Sequence, residues 1–221
     1  MTVFSAWQDI DSVFLDMDGT LLDLYFDNHF WQEHIPLVYA RERSLGEDEA
    51  RQHLMELYGQ ARGTLDWYSL DYWSDRLALD IRNIKRDMSH RIATRPNARL
   101  FLQRISEVGK RVVMVTNAHP ATLEIKLEMT GIDVHFDLIL DSHRIGLAKE
   151  QAGFWDRLQE TEPFDPQRTM FIDDNLEVLR CAAEYGIAHV FAIAEPDSSR
   201  GKMEAEPYTA IEDFSTFIEE L

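Results

Sequence analysis

The chain has 221 residues, with 40 acidic against 22 basic side chains and a formal net charge of −18. A field of that sign repels phosphate, which argues against binding to nucleic acid or to an anionic membrane surface; any phosphate that binds must be caught by local groups. Apolar residues at 45% allow a buried core, and the single cysteine, Cys181, excludes an intramolecular disulfide and fits a reducing compartment.

The N-terminal segment MTVFSAWQDIDS lacks the basic and apolar regions of a secretory signal. No apolar run approaches the roughly 18–20 residues needed to span a bilayer, so a cytoplasmic location is expected. The first strong element is Ser12–Met17, whose Val13-Phe14-Leu15 reads as a buried strand running into Asp16-Met17-Asp18-Gly19-Thr20. From Leu21 to Pro96 the texture changes to helical spacing rich in Trp, Tyr, Glu and Arg. Leu54, Leu57 and Tyr58 share one helical face, as do Tyr72, Trp73, Leu77 and Ile81, and Pro36 is expected to kink or split the first helix.

Beyond Pro96, helices and strands alternate. The strands are Val112–Val115, Leu138–Leu140, Met170–Ile172 and Val190–Ala194, with Gly109, Gly131 and Gly186 closing the helices between them. A last helix is expected to carry Ile211, Phe214, Phe217, Ile218 and Leu221. This βα alternation predicts an α/β fold, a parallel sheet flanked by helices. An all-helical insert interrupts it after the first strand, giving a core of residues 1–20 and 97–221 and an insert of 21–96.

Four strand ends carry chemistry. Asp16 and Asp18, two apart, leave an extended strand on the same side. Carboxylates that close repel unless a cation lies between them, which points to a divalent metal. Thr116 and Asn117 end the second strand with a hydroxyl and an amide suited to a phosphoryl oxygen, although Thr-Asn ahead of Pro120 is equally a helix cap. Lys149 precedes a helix and supplies the positive charge a phosphate site needs in so acidic a chain. Lys126, in mid-helix, is expected to face solvent. Asp173 and Asp174 end a further strand; adjacent side chains diverge there, so one should bind metal directly and the other through water or a second contact.

This constellation resembles the haloacid dehalogenase (HAD) superfamily of phosphohydrolases. Its four motifs match Asp16–Thr20, Thr116, Lys149 and Asp173-Asp174, and the insert resembles the helical cap of its type 1 members. A narrower set is Ala6-Trp7-Gln8-Asp9, Phe26-Asp27-Asn28 with Phe30-Trp31-Gln32, Leu70-Asp71-Tyr72-Trp73-Ser74, Thr116-Asn117-Ala118-His119-Pro120 and Phe171-Ile172-Asp173-Asp174. It is similar to the bacterial purine nucleotidase branch, which hydrolyses GMP and IMP.

The resemblance implies a HAD-like Rossmannoid sheet with the first strand central. It implies Asp16 as nucleophile forming an aspartyl-phosphate, Asp18 as acid and base, and Thr116, Asn117 and Lys149 around the phosphate. It implies Mg2+ held by Asp16, the Asp18 carbonyl and Asp174, with Asp173 in the outer shell. The substrate would be a small phosphate monoester, in this branch a purine nucleotide. A phosphatase or phosphomutase for another monoester such as a sugar phosphate, and a non-catalytic phospho-acceptor module, are the competing readings. Asp18 disfavours a dehalogenase, which does not need a second acid, and disfavours the acceptor module likewise. Glu150 departs from the superfamily, where proline often follows the lysine.

The aromatics Phe30, Trp31, Trp67, Tyr68, Tyr72 and Trp73 read first as the filling of a small helical core. Asn28, His29 and His119 lie beside loops expected to face the catalytic end, with His119 an oriented loop residue, not a base.

Overall fold

The computed structural model describes residues 7–218 and Leu221; residues 1–6, Ala6 among them, and residues 219–220 lie outside the described residues. Six strands, β1 (Ser12–Leu15), β2 (Arg111–Thr116), β3 (Leu138–Asp141), β4 (Thr169–Asp173), β5 (His189–Ile193) and β6 (Thr209–Ile211), form one sheet in the order β3-β2-β1-β4-β5-β6. Every pairing is parallel. The middles of β1 to β5 are apolar without interruption because helices cover both faces. Val13 and Leu15 pack into one core with Met114, Ile172 and Phe101, whereas Phe14 turns to the other with Val113, Phe171 and Trp155.

Leu15 is level with Met114 on one side and Ile172 on the other, so β1, β2 and β4 end at the same edge. The order runs from β1 to β2 and β3 in one direction and from β1 to β4 in the other. Between β1 and β4 lies the switch point, where open α/β sheets leave a crevice for ligands.

All elements between β1 and β2 are helical: α1 (Tyr25–His29), a π-helical turn (Phe30–His34), α2 (Ile35–Arg43), α3 (Glu47–Ala61), α4 (Leu70–Leu77), α5 (Ile81–Asp87), two short 3-10 turns (Leu65–Tyr68 and Ser89–Arg91) and, leading into β2, α6 (Ala98–Glu107). Phe26, Phe30, Leu54, Tyr58, Trp73, Leu77 and Ile81 form a third core apart from the two on the sheet. The chain enters and leaves this insert side by side, Asp23 N–H donating to the Ala93 carbonyl and Arg95 N–H to that of Leu21, each at 2.9 Å. The expected disruption near Pro36 takes the form of the π-helical turn. Proline has no N–H for the Gln32 carbonyl, and the Arg51 guanidinium donates to that carbonyl instead at 2.5 Å.

The remaining helices are α7 (Pro120–Thr130), α8 (Ser142–Ile145), α9 (Phe154–Thr161), α10 (Leu176–Tyr185) and α11 (Ser215–Ile218). The last one corrects a sequence expectation. Ile211 belongs to β6, opposite Ile193, and the helix begins only at Ser215, whose N–H is capped by Asp213 Oδ1 at 2.6 Å. The 3- and 4-residue spacing misled because both elements bury apolar side chains in the same core. No helix among the described residues is long and apolar enough to cross a membrane.

Candidate active site

Strand β1 ends at Leu15, so Asp16 is the first residue past it, although its N–H still donates to the Ile172 carbonyl at 3.0 Å. That bond aims the buried Asp16 carboxylate over the strand ends. Lys149 meets it there, its Nζ 2.5 Å from Asp16 Oδ1, 2.6 Å from Asp173 Oδ2 and 3.1 Å from the Val115 carbonyl. The second oxygen of Asp173 accepts the Asn175 N–H at 2.8 Å. Asp174 lies instead against Gly19, where φ is +81° and an added Cβ would fall 2.5 Å from the Asp174 carboxylate. Glycine is required there twice, for the left-handed turn and for that close approach.

Thr116 ends β2 with its Oγ1 accepting the Ala118 N–H at 3.0 Å. Asn117 braces the lysine loop: its Oδ1 accepts the Lys149 N–H and its Nδ2 donates to Glu150 Oε2, both at 2.9 Å. The departure at Glu150 thus has a structural reason. Its other oxygen accepts the Tyr68 hydroxyl of the helical insert at 2.9 Å. His119 uses Nδ1 to cap α7 through the Ala121 N–H at 3.3 Å, in keeping with a loop-orienting residue.

Lys126 contradicts the expectation that it faces solvent. It is 1% exposed, with Nζ 2.5 Å from Asp18 Oδ1 and 2.5 Å from Asp27 Oδ2. Lys85, equally enclosed, takes Asp27 Oδ1 at 2.7 Å. The sequence held a signal for this. Lys126 stands three residues after Leu123 and four before Thr130, on the face these two buried side chains share, which a mid-helix lysine occupies only with partners.

Burial raises the Asp16 carboxyl to about 7 against the pull of Lys149, and raises Asp18 to about 6 against that of Lys126. Asp174 is pushed well above the carboxylate range by burial and then by the neighbouring acids. Burial also acts on Lys149, but the two carboxylates outweigh it and hold the ammonium above its usual value. Asp16, Asp173 and Asp174 offer oxygens all within 4.8 Å of one another, facing one lysine. A hard divalent cation fits that all-oxygen, net-negative donor set.

These side chains line a cavity of about 650 Å³ that also takes in Asp18, Thr116 and Asn117. That size is ordinary for a small-molecule site. The insert supplies the other wall. Trp31, Trp67, Tyr68 and Trp73 reach the cavity, as do Asn28 and His119, whereas Phe30 stays in the insert's own core. His29 lines only a smaller neighbouring recess. Tyr58, Gln32, Arg62 and Arg200 also line the main cavity; Gln32 closes the Phe30-Trp31-Gln32 motif and Tyr58 shares a helical face with Leu54, whereas Arg62 and Arg200, isolated in sequence, offered no motif to find them by.

The model of the haloacid dehalogenase-like hydrolases matches residues 10–186. The chain belongs to this hydrolase family. Over all 221 residues, and the full length of each relative, it is 39% identical to the GMP/IMP nucleotidase YrfG of Escherichia coli (strain K12) and to that of Shigella flexneri. Solved structures share the fold of this hydrolase. A HAD phosphatase from Thermococcus onnurineus superposes with a TM-score of 0.77 at 19% identity, covering 95% of this chain and 97% of that one. YfnB from Bacillus subtilis, a HAD-hydrolase bound to magnesium, gives 0.70 at 17% identity, covering 95% and 97%.

Proposed function

We propose that this hydrolase is a magnesium-dependent phosphatase for purine nucleoside 5′-monophosphates, GMP and IMP. The observation that carries the reading is the convergence of Asp16, Asp18, Thr116 and Lys149 on one cavity whose opposite wall is aromatic. Residues 21–96 would act as a cap over a core of residues 1–20 and 97–221.

In this mechanism an Asp16 carboxylate oxygen attacks phosphorus. The bond from phosphorus to the nucleoside 5′ oxygen breaks, and that oxygen takes the proton of Asp18. The aspartyl-phosphate is then resolved when Asp18, now a carboxylate, removes a proton from water as the water oxygen attacks phosphorus. Inorganic phosphate leaves and Asp16 is restored. Thr116 and Lys149 hold the phosphoryl oxygens, with Asn117 keeping the Lys149 loop in place. Mg2+ would be held by Asp16, the Asp18 carbonyl and Asp174, with Asp173 outside them, and when bound it neutralises charge on the transferring group. The Asp174 carboxylate, which makes no hydrogen bond among the described residues, against that of Asp173, engaged at both oxygens, supports that division.

The phosphoryl site leaves base selection to the aromatic wall. Trp31, Trp67 and Tyr68 suit stacking, which contributes about 1–3 kcal/mol per base. Donors from Asn28, Gln32, Arg62 and Arg200 suit the O6 edge that guanine and hypoxanthine share and adenine lacks. The 39% identity to GMP/IMP nucleotidases supports the same substrate class. A dehalogenase reading leaves Asp18 without a task, since halide departs unprotonated. The test compares kcat/KM for GMP, IMP, AMP, UMP and a sugar phosphate, with and without magnesium. GMP and IMP should lead; a lead for the sugar phosphate, or indifference to the base, overturns the purine assignment.

A further inference from the structure

Asp18, the acid of the mechanism above, is not held by the sheet. It lies past the end of β1, and its Oδ1 is gripped by Lys126 from α7 at 2.5 Å. Its Oδ2 makes no hydrogen bond among the described residues and is left for the cavity that Asp18 lines. A lysine side chain has four rotatable bonds and by itself is a poor clamp. This one is clamped in turn by Asp27 of α1, whose Oδ2 lies 2.5 Å from the same Nζ. Asp27 is fixed by Lys85 of α5 through its other oxygen at 2.7 Å. The Lys85 ammonium sits over the rings of Phe26, Phe30 and Trp31, at 5.3, 4.7 and 5.5 Å.

Positive and negative groups therefore alternate along one buried chain, Lys85–Asp27–Lys126–Asp18. It begins in the aromatic core of the helical insert and ends on the carboxylate beside the nucleophile. A buried ionic chain stabilises a fold little more than apolar side chains of equal volume would, so its presence calls for a further role. The geometry points to Lys126 and Asp27 as positioning residues for Asp18: the insert, through Asp27, aims the carboxyl that protonates the departing oxygen. This inference rests on the phosphatase reading and adds two residues to it. Asp18 is correctly aimed only while the insert is docked, so closure over a substrate and assembly of the acid are one event.

The leaving group separates this role from a structural one. An alkyl alkoxide needs a proton to depart, whereas 4-nitrophenolate leaves without one. Moreover, kcat/KM covers only the steps up to loss of that group. The measurement is kcat/KM of wild type, Lys126→Met, Lys126→Arg and Asp27→Asn on two esters. One is 4-nitrophenyl phosphate, the other the alkyl monoester that wild type turns over fastest, with a thermal melt beside each.

Loss of aim should lower the alkyl value about 100-fold in Lys126→Met, the scale expected for a misplaced catalytic group. The aryl value should fall less than about fivefold over the same steps. Lys126→Arg should recover part of the difference, and Asp27→Asn should show the same split more weakly. If Lys126→Met does not fold, Asp27→Asn, nearly isosteric, decides. Equal losses on both esters, or no loss, overturn the proposal. A wild-type chain that hydrolyses neither ester overturns the phosphatase reading beneath it, and one that prefers a non-purine alkyl ester overturns only the purine assignment.

Discussion

Gly19 and Asp174 stand so close that a methyl group on the glycine would lie 2.5 Å from the aspartate carboxyl carbon and from one of its oxygens. The turn after β1 and the acid after β4 therefore fit together only because position 19 has no side chain. Gly19→Ala would have to push Asp174 aside and strain a φ of +81°. Activity at saturating magnesium should drop at least about tenfold, with a stability loss of about 1–3 kcal/mol. Steady-state kinetics and a melt check both; wild-type values for the variant would mean that Asp174 can move without consequence.

A second prediction concerns metal and pH. Asp16 and Asp18 are raised in the folded state, to about 7 and about 6, chiefly by burial, so the fold binds more protons than the unfolded chain above pH ~4. Stability of the metal-free protein should therefore fall as pH rises from about 4 to about 7. Magnesium, taking the place of those protons, should stabilise the neutral protein by about 2.7 kcal/mol at a hundredfold excess over Kd and flatten the slope. Asp174→Ala should lose most of that magnesium-dependent shift in Tm. A melting temperature indifferent to magnesium at pH 8 would contradict the metal assignment.

The strand ends were legible in the sequence to within a residue or two because β1 to β5 are uninterrupted apolar runs followed at once by polar residues. Asp16, Thr116 and Asp173 follow from that pattern, whereas Lys149 lies beyond α8, eight residues after the end of β3, and was found by its charge in so acidic a chain. Lys126 and Asp27 did not, since each makes sense only when α7 and α1, 99 positions apart at their contact, are brought together. β6 was hidden for a different reason. Three residues with one buried side chain carry no period of their own, and only pairing to β5 makes them a strand.

Glu150 ties the insert to the lysine loop through Tyr68 and Asn117. Losing the Tyr68 bond to this carboxylate should weaken docking of the insert more than the chemistry. Glu150→Ala is expected to raise KM about tenfold, the effect of losing one hydrogen bond to a charged group, with a smaller change in kcat. Tyr68→Phe, which removes that same bond from the other side, should raise it by about the same factor. A fall in kcat at constant KM would place Glu150 in the chemical step instead.

Asp18 and Asp16 should be separable by substitution. Asp18→Asn keeps the backbone carbonyl and the shape of the side chain but has no proton to give, and should cost about two to four decades in kcat. Stopped assays over hours check this; retention of wild-type kcat would remove Asp18 as the acid.

The central claim is that Asp16 takes the phosphoryl group, and acid quenching within one turnover on GMP and magnesium, followed by peptide mass mapping, tests it most directly. A phosphoryl group on the peptide containing Asp16, absent from Asp16→Asn together with all turnover, is the predicted result. Hydrolysis by Asp16→Asn at the wild-type rate, or turnover with no phosphorylated peptide at any quench time, would contradict it.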